Sequence, residues 1–319
     1  MLYDSCAVLY ARRVIRIGAG AGLVLLGLAW GACNLGQAAP AQQRSPRAEL
    51  IIPVAEGNRP ERPEGKAGAR PGQVGILGTD NRVAVGASLW PWVAIGRINQ
   101  SGYRTTGHCT GTLIGPRHVL TAAHCLVDRR LQRMAAPAEI HFLRGYGPQG
   151  FAAHSLARRF VISPGFDRAA QPPQADLSRD WAVIELETVQ TVMPVPIAAP
   201  ATLASRFPGP VSRAGYSKDS PHQLRVHENC AISASRNQGR LLIHECDATF
   251  GDSGSALLWR QGDRVEVVGV HVASGDRRSV AAGAAAFAPL AMCLVAGTCA
   301  CLAGSEPGVL LCDPPAGPE

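Results

Sequence analysis

Residues 246–259 read CDATFGDSGSALLW: an acid and a serine held between glycines in a turn that runs directly into an apolar stretch. Glycine at 251 and 254 admits backbone angles closed to other residues and lets a ligand approach the main chain closely. Ser253, between them, is held out where its hydroxyl can be reached. Gly, Asp and Ser are also the ordinary turn formers. Read alone, the stretch is a tight turn before a strand, and its partners elsewhere in the chain decide whether it is more.

The chain around it has 319 residues and is 46% hydrophobic, enough apolar content to bury a core in one large domain or two smaller ones. Aromatics are scarce at 5%, whereas 35 glycines and 24 prolines favour many short strands and turns over long helices. From Val74 onward the chain is a series of short apolar runs broken by Gly, Pro, Asn and Asp: RVAVG, PWVAIGRI, CTGTLIG, RHVLTAAHC, EIHFL, WAVIELE, RLLIHEC, SALLW and VEVVGVHVAS. Strands of five or six residues have this length, so an all-β unit of two layers or two barrels is expected. The net charge of +7 comes from arginines scattered singly or in pairs. Without a basic run, an aromatic platform or zinc-finger spacing, the charge reads as a soluble basic surface and gives no sign of a nucleic-acid partner.

The first forty residues have a different character. Arg12, Arg13 and Arg16 precede the uncharged stretch Ile17 to Trp30, which is followed by GACNLGQAAPAQQ. This is the pattern of a secretory signal peptide over residues 1–41, cleaved after Ala39 or Ala41. The apolar stretch is short for a membrane span, which takes about 20 residues, so no stable span is expected in the mature form. A lipidated Cys33 is the weaker alternative. Residues 42–73, rich in Pro, Gly, Arg and Glu, lack the apolar content to order themselves and read as a disordered linker or pro-segment.

A serine hydroxyl becomes a nucleophile only beside a base, and the base needs an orienting acid. HVLTAAHCL (118–126) is an apolar strand that breaks at Thr121 and delivers His124 beside a cysteine, and SRDWAVIEL (178–186) places Asp180 just ahead of another apolar strand. Taken singly, each residue is more often a turn, cap or core residue than a catalyst. Together, in the order His, Asp, Ser, they point to nucleophilic chemistry.

The blocks CTGTLIGPRHVLTAAHC, RDWAVIEL and CDATFGDSGSALL resemble the three signature blocks of the chymotrypsin-like, trypsin-fold serine peptidases, over most of residues 74–290. TDNRVAVGASLWPWVAIGRI (79–98) and VVGVHVASG (267–275) are similar to the bacterial glutamyl-endopeptidase branch. The resemblance implies two packed antiparallel Greek-key β-barrels, residues 74–195 and 196–290, with a Cys-rich tail over 291–319 and a cleft between the barrels. It implies His124 as general base, Asp180 as its orienting acid, Ser253 as nucleophile, and the Gly251 and Ser253 amides as the oxyanion hole. Substrates would be proteins or peptides, with no cofactor and no metal. A precursor cut near Val74 to Ile76 by an activating protease is also implied, the freed amino terminus pairing with Asp252. Specificity is read from Asp247, Ala248 and His271. Asp247 stands where trypsin-like enzymes carry the acid that binds Arg or Lys, and His271 where glutamyl endopeptidases carry a histidine for the substrate carboxylate, so cleavage after Glu is favoured over Arg or Lys. The two residues can also pair with each other. A catalytically silent binding protein of the same fold is the alternative.

Eight of the ten cysteines lie beyond the leader, and an even count in an exported chain reads as disulfides. By resemblance Cys109 pairs with Cys125, bracing the histidine. Cys230 is paired with Cys246 beside the serine turn. In the tail, Cys299 and Cys301 each reach Cys293 or Cys312. A zinc site from His222, His227, Cys230, His244 and Cys246 is the competing reading, without the tight spacings zinc prefers. The uncharged run from Ser279 to Ser305 holds Pro289 and reads as a packed terminal segment.

Overall fold

The apolar runs of the sequence become strands of two eight-stranded sheets in the computed structural model, which describes residues 74–102, 107–170, 175–199, 209–275 and 277–313. The signal-peptide and linker readings for residues 1–73 lie outside these residues. In chain order the strands are β1 (Val83–Val85), β2 (Ile95–Gln100), β3 (His108–Gly115), β4 (His118–Thr121), β5 (Val127–Asp128), β6 (Arg133–Met134), β7 (Ile140–Arg144), β8 (Ala153–Ile162) and β9 (Ala182–Leu186). They continue with β10 (Val211–Gly215), β11 (Leu224–Cys230), β12 (Ile232–Arg236), β13 (Leu241–His244), β14 (Ala256–Gln261), β15 (Arg264–Ser274) and β16 (Ser279–Gly283). A helix, α1 (Ala284–Ala296), and a hairpin, β17 (Ala300–Ala303) and β18 (Val309–Asp313), are the last described elements.

The first sheet runs β17-β18-β8-β7-β2-β3-β4-β9, and β9 pairs back onto β8, so its central strands close into a ring. The long β8 makes this possible: its first part pairs with β7, its second with β9, across an irregularity between Ala157 and Arg159. A bulge of this kind bends the strand and increases its twist. The second sheet runs β1-β11-β10-β14-β15-β16-β13-β12. Together they form two packed, barrel-like β units, the chymotrypsin-like double barrel. The core is what strand alternation dictates: Ile98, Leu113, Phe142 and Phe160 fill the first unit, and Leu242, Leu257, Val267 and Val270 the second. The chain passes between them at Val195, whose N–H donates to Leu113 O of β3, and Pro196, whose carbonyl accepts from Val267 N of β15.

The ends of the chain depart from the sequence reading. β1 pairs with β11, placing residues 83–85 in the second sheet although they precede the first. The hairpin β17–β18 joins the first sheet, with β18 parallel to β8. Residues 284–296 form a helix that runs across the expected boundary at 290. Pro289 removes one helical N–H, yet burial of Phe287, Leu290, Ala288 and Ala291, with Phe287 packed 6.2 Å from Trp181, holds the helix in place. Burying Phe287 alone contributes about 2 kcal/mol. Gly297, at φ +70°, ends the helix in the left-handed conformation that favours glycine. Four disulfides join Cys109 to Cys125, Cys230 to Cys246, Cys293 to Cys299 and Cys301 to Cys312. Among the described residues no helix is long and apolar enough to cross a membrane.

Candidate active site

β4 ends at Thr121, and a one-turn helix over Ala123–Leu126 carries His124 to the rim between the sheets. Ala122 and Ala123 are small because they are fully buried beneath it, and the Cys109–Cys125 disulfide ties the turn to β3. Asp180 emerges from a second short turn, Leu177–Arg179, capped by Asp176, whose side chain accepts from Ser178 N. The two meet bidentately: Asp180 Oδ1 accepts from His124 N at 2.9 Å, and Oδ2 lies 2.6 Å from His124 Nδ1. A carboxylate only accepts, so Nδ1 carries the proton and Nε2 is left as an acceptor.

Ser253 lines the same cleft, of about 1360 Å³, as His124, Asp180, Gly251 and His271. Its own carbonyl accepts from Thr110 N at 2.8 Å, which seats the turn on β3. Gly251 and Gly254 have φ of +94° and +84°. A Cβ at 254 would stand 2.1 Å from Thr110 O, and one at 251 would stand 2.7 Å from Tyr216 O, so both positions require glycine for space as well as conformation.

Asp252 lies beneath this turn, with no exposure, and already has its partners: Arg213 Nη1 at 2.5 Å, Ser217 Oγ at 2.7 Å and Thr249 N at 2.7 Å. The expected pairing with a freed amino terminus concerns the cut chain; in the uncut chain Asp252 is held by these groups. A guanidinium from β10 occupies that role in the uncut chain.

Asp247 also differs from its reading. It is fully buried and does not line the cleft. Its Oδ1 accepts from Leu77 N at 2.7 Å and its Oδ2 from Asn81 N at 2.9 Å, so both oxygens hold the segment ahead of β1. Its own N–H donates to His227 Nδ1. It makes no pair with His271. Ala248 is likewise buried, and its N–H donates to Gly75 O.

His271, from β15, does face the cleft, and a residue missed in the sequence reading fixes its proton. Cys246 N donates to His244 Nδ1 at 3.2 Å, so the His244 proton sits on Nε2 and is given to His271 Nδ1 at 3.1 Å. The His271 proton must then be on Nε2, 3.1 Å from Ser274 Oγ, whose hydroxyl donates onward to Ala248 O at 2.9 Å. A single direction satisfies the whole chain. Burial, reinforced by Arg213 nearby, keeps both imidazoles neutral, pushing His244 down to about 3 and His271 well below the ordinary histidine value. His244 carried a signal in HEC, but with Cys230 and Cys246 it was weighed only as a zinc ligand. Those two thiols are joined in a disulfide.

Two barrel-like β-sheets with a His–Asp pair and a glycine-framed serine in one cleft define a chymotrypsin-like serine protease fold. The sequence profile of the trypsin family matches residues 81–293, and the chain belongs to that family. It is similar to serine protease 23 of Rattus norvegicus, at 27% identity over 49% of this chain and 44% of the relative. It is similar to glutamyl endopeptidase of Bacillus licheniformis, at 35% identity over 61% of this chain and 58% of the relative. Inactive serine protease 35 of Mus musculus is 26% identical over 58% of this chain and 55% of its own length. The chain thus spans about half the length of these relatives. A solved Glu endopeptidase in complex with MPD superposes with a TM-score of 0.56 at 21% identity, covering 70% of this chain and 99% of that one, a likeness of fold.

Proposed function

We propose that the protein is a serine endopeptidase that hydrolyses peptide bonds through an acyl-enzyme. The observation that carries this reading is the bidentate His124–Asp180 pair beside Ser253 in one cleft. His124 Nε2 takes the Ser253 proton as Oγ attacks the scissile carbonyl, then returns it to the leaving amine. Asp180 holds the tautomer and stabilises the imidazolium. The Gly251 and Ser253 amides receive the oxyanion, a term worth about 3 kcal/mol per donor. Deacylation repeats the sequence with water.

Cleavage after Glu is the specificity we favour over Arg or Lys. The directed proton chain ending at His271 Nε2 supports it: a substrate carboxylate can replace Ser274 Oγ as the acceptor. The relative named glutamyl endopeptidase points the same way. Export through the leader fits four disulfides. A precursor cut near Val74–Ile76 remains part of the reading, the freed amino terminus taking over Asp252 from Arg213, its partner in the uncut chain.

A catalytically silent binding protein is the second reading, favoured by the similarity to a relative named as inactive. A fluorophosphonate probe separates them. Labelling of the protein and none of Ser253→Ala supports the peptidase; no labelling of either supports the binding protein. Cleavage sites in a peptide library, read by mass spectrometry, then give the specificity.

A further inference from the structure

Arg82, just before β1, is a guanidinium with no exposed side-chain surface. Its Nε and Nη2 donate to the two oxygens of Asp80 at 2.9 Å each, and Nη2 reaches Asp219 Oδ2 at 2.6 Å. Nη1 is 2.9 Å from Ser217 Oγ and 3.2 Å from Thr249 Oγ1. These last two contacts lead to the serine turn. Ser217, accepting from Arg82, donates to Asp252 Oδ2 at 2.7 Å. Thr249, also accepting from Arg82, gives its hydroxyl proton to Asp219 and its N–H to the same Asp252 oxygen at 2.7 Å.

Thr249 and Asp252 are the first and last residues of the turn that carries the Gly251 amide, and Asp252 N donates to Thr249 O across it at 3.1 Å. We infer that Arg82 is a positioning residue for the oxyanion turn: it grips one end directly through Thr249 and the other through Ser217 and a 3.8 Å ion pair with Asp252 Oδ2, and so aims the Gly251 N–H without touching substrate. The inference rests on the peptidase reading for its catalytic consequence, but the clamp itself is a matter of structure. Arg82 is itself held in place by the segment before β1, where Leu77 N and Asn81 N are bound to Asp247 beneath the same turn. The turn is thus set by residues about 170 positions upstream. A guanidinium suits the task because its planar fork serves several acceptors at fixed angles, which an ammonium cannot reproduce.

The test uses Ser217→Ala, which cuts one arm of the clamp and leaves no buried charge unpaired, and Arg82→Met, which removes both. Hydrogen–deuterium exchange of peptides spanning 247–254 is measured beside steady-state kinetics and fluorophosphonate labelling. Both variants are expected to exchange faster over 247–254. kcat is expected to fall by about tenfold for Ser217→Ala, and for Arg82→Met by about 10²-fold, the low end of the cost of losing one oxyanion donor, with KM nearly unchanged. Guanidinium at millimolar concentration is expected to restore part of the Arg82→Met rate. Unchanged exchange over 247–254 in folded Ser217→Ala overturns the clamp, as does a loss confined to KM. If Arg82→Met does not fold, Ser217→Ala decides alone. A wild-type protein that the probe never labels overturns the peptidase reading, and the exchange measurement still judges the clamp.

Discussion

Arg213 Nη1 lies 2.5 Å from Asp252 Oδ1, and neither side chain has any exposed surface. Removing one partner would leave the other charge buried. Arg213→Met is expected to destabilise the fold by about 3–5 kcal/mol, measured by urea unfolding. Arg213 Nε and Nη2 have no partner among the described residues, so the net worth of the pair is smaller than the cost of breaking it. A variant as stable as wild type would mean that Arg82, whose Nη1 lies 3.8 Å from Asp252 Oδ2, compensates Asp252 on its own.

Acid should unfold the protein partly through two histidines. In the unfolded chain they take up protons below about 6.5, whereas in the fold burial keeps them neutral, His244 down to about 3. Between those values the unfolded state binds more protons, so stability falls as pH falls, by up to about 1.4 kcal/mol per unit for each group. The loss is complete once pH drops below the folded value. His244→Gln, which does not titrate, is expected to flatten the decline of Tm over about pH 6 to 4. An equally steep decline would show that His244 is already protonated in the native state.

Specificity should follow His271 and ignore Asp247. His271→Ala is expected to lower kcat/KM on Glu substrates by the equivalent of about 2–5 kcal/mol, leaving probe labelling of Ser253 intact. Asp247→Asn should lower Tm, since it loosens the Leu77 and Asn81 anchors, and leave the ratio of Glu to Arg cleavage unchanged. Arg-selective cleavage that vanishes in Asp247→Asn would reverse the assignment.

The terminal hairpin should serve stability alone, because among the described residues none beyond Ser274 lines the cleft. Replacing Cys301 and Cys312 with serine opens a loop with a sequence separation of 11. The chain-entropy account values this at about 3 kcal/mol. Tm is expected to fall while kcat/KM stays within about twofold, the scatter of a neutral surface change. A large loss of activity would place the hairpin in contact with the cleft.

The reach of the sequence follows from where its signals lie. His124, Asp180 and Ser253 stand out in the sequence because each sits at the break of an apolar run, and β4, β9 and β14 because each carries a short, buried and nearly unbroken apolar run. β8 was not foreseen: AHSLARRFVI mixes arginines with apolar residues, since part of it faces solvent and a bulge interrupts its alternation. β12, mostly exposed or half-exposed, carries no apolar stripe to read. The helix was hidden by Pro289, whose cost is outweighed by burial that only the tertiary structure reveals. Arg82, Arg213 and His244 were missed for a shared reason. Their roles depend on partners far away in the chain, and nothing in a local window distinguishes a buried arginine from a solvated one.

The crossed ends of the chain bear on the order in which the molecule can be assembled. β1 belongs to the second sheet and waits for β11, while β8 lacks its parallel neighbour until β18 exists. A growing chain that has just finished β9 has the ring of the first sheet but an open edge at β8, and a free β1 with nothing to pair. The second sheet has all its strands once β16 has left the ribosome, whereas the first waits for residues 309–313. Pairings between such distant segments form slowly, and a chain truncated before Val309 would keep an exposed strand edge open to other chains.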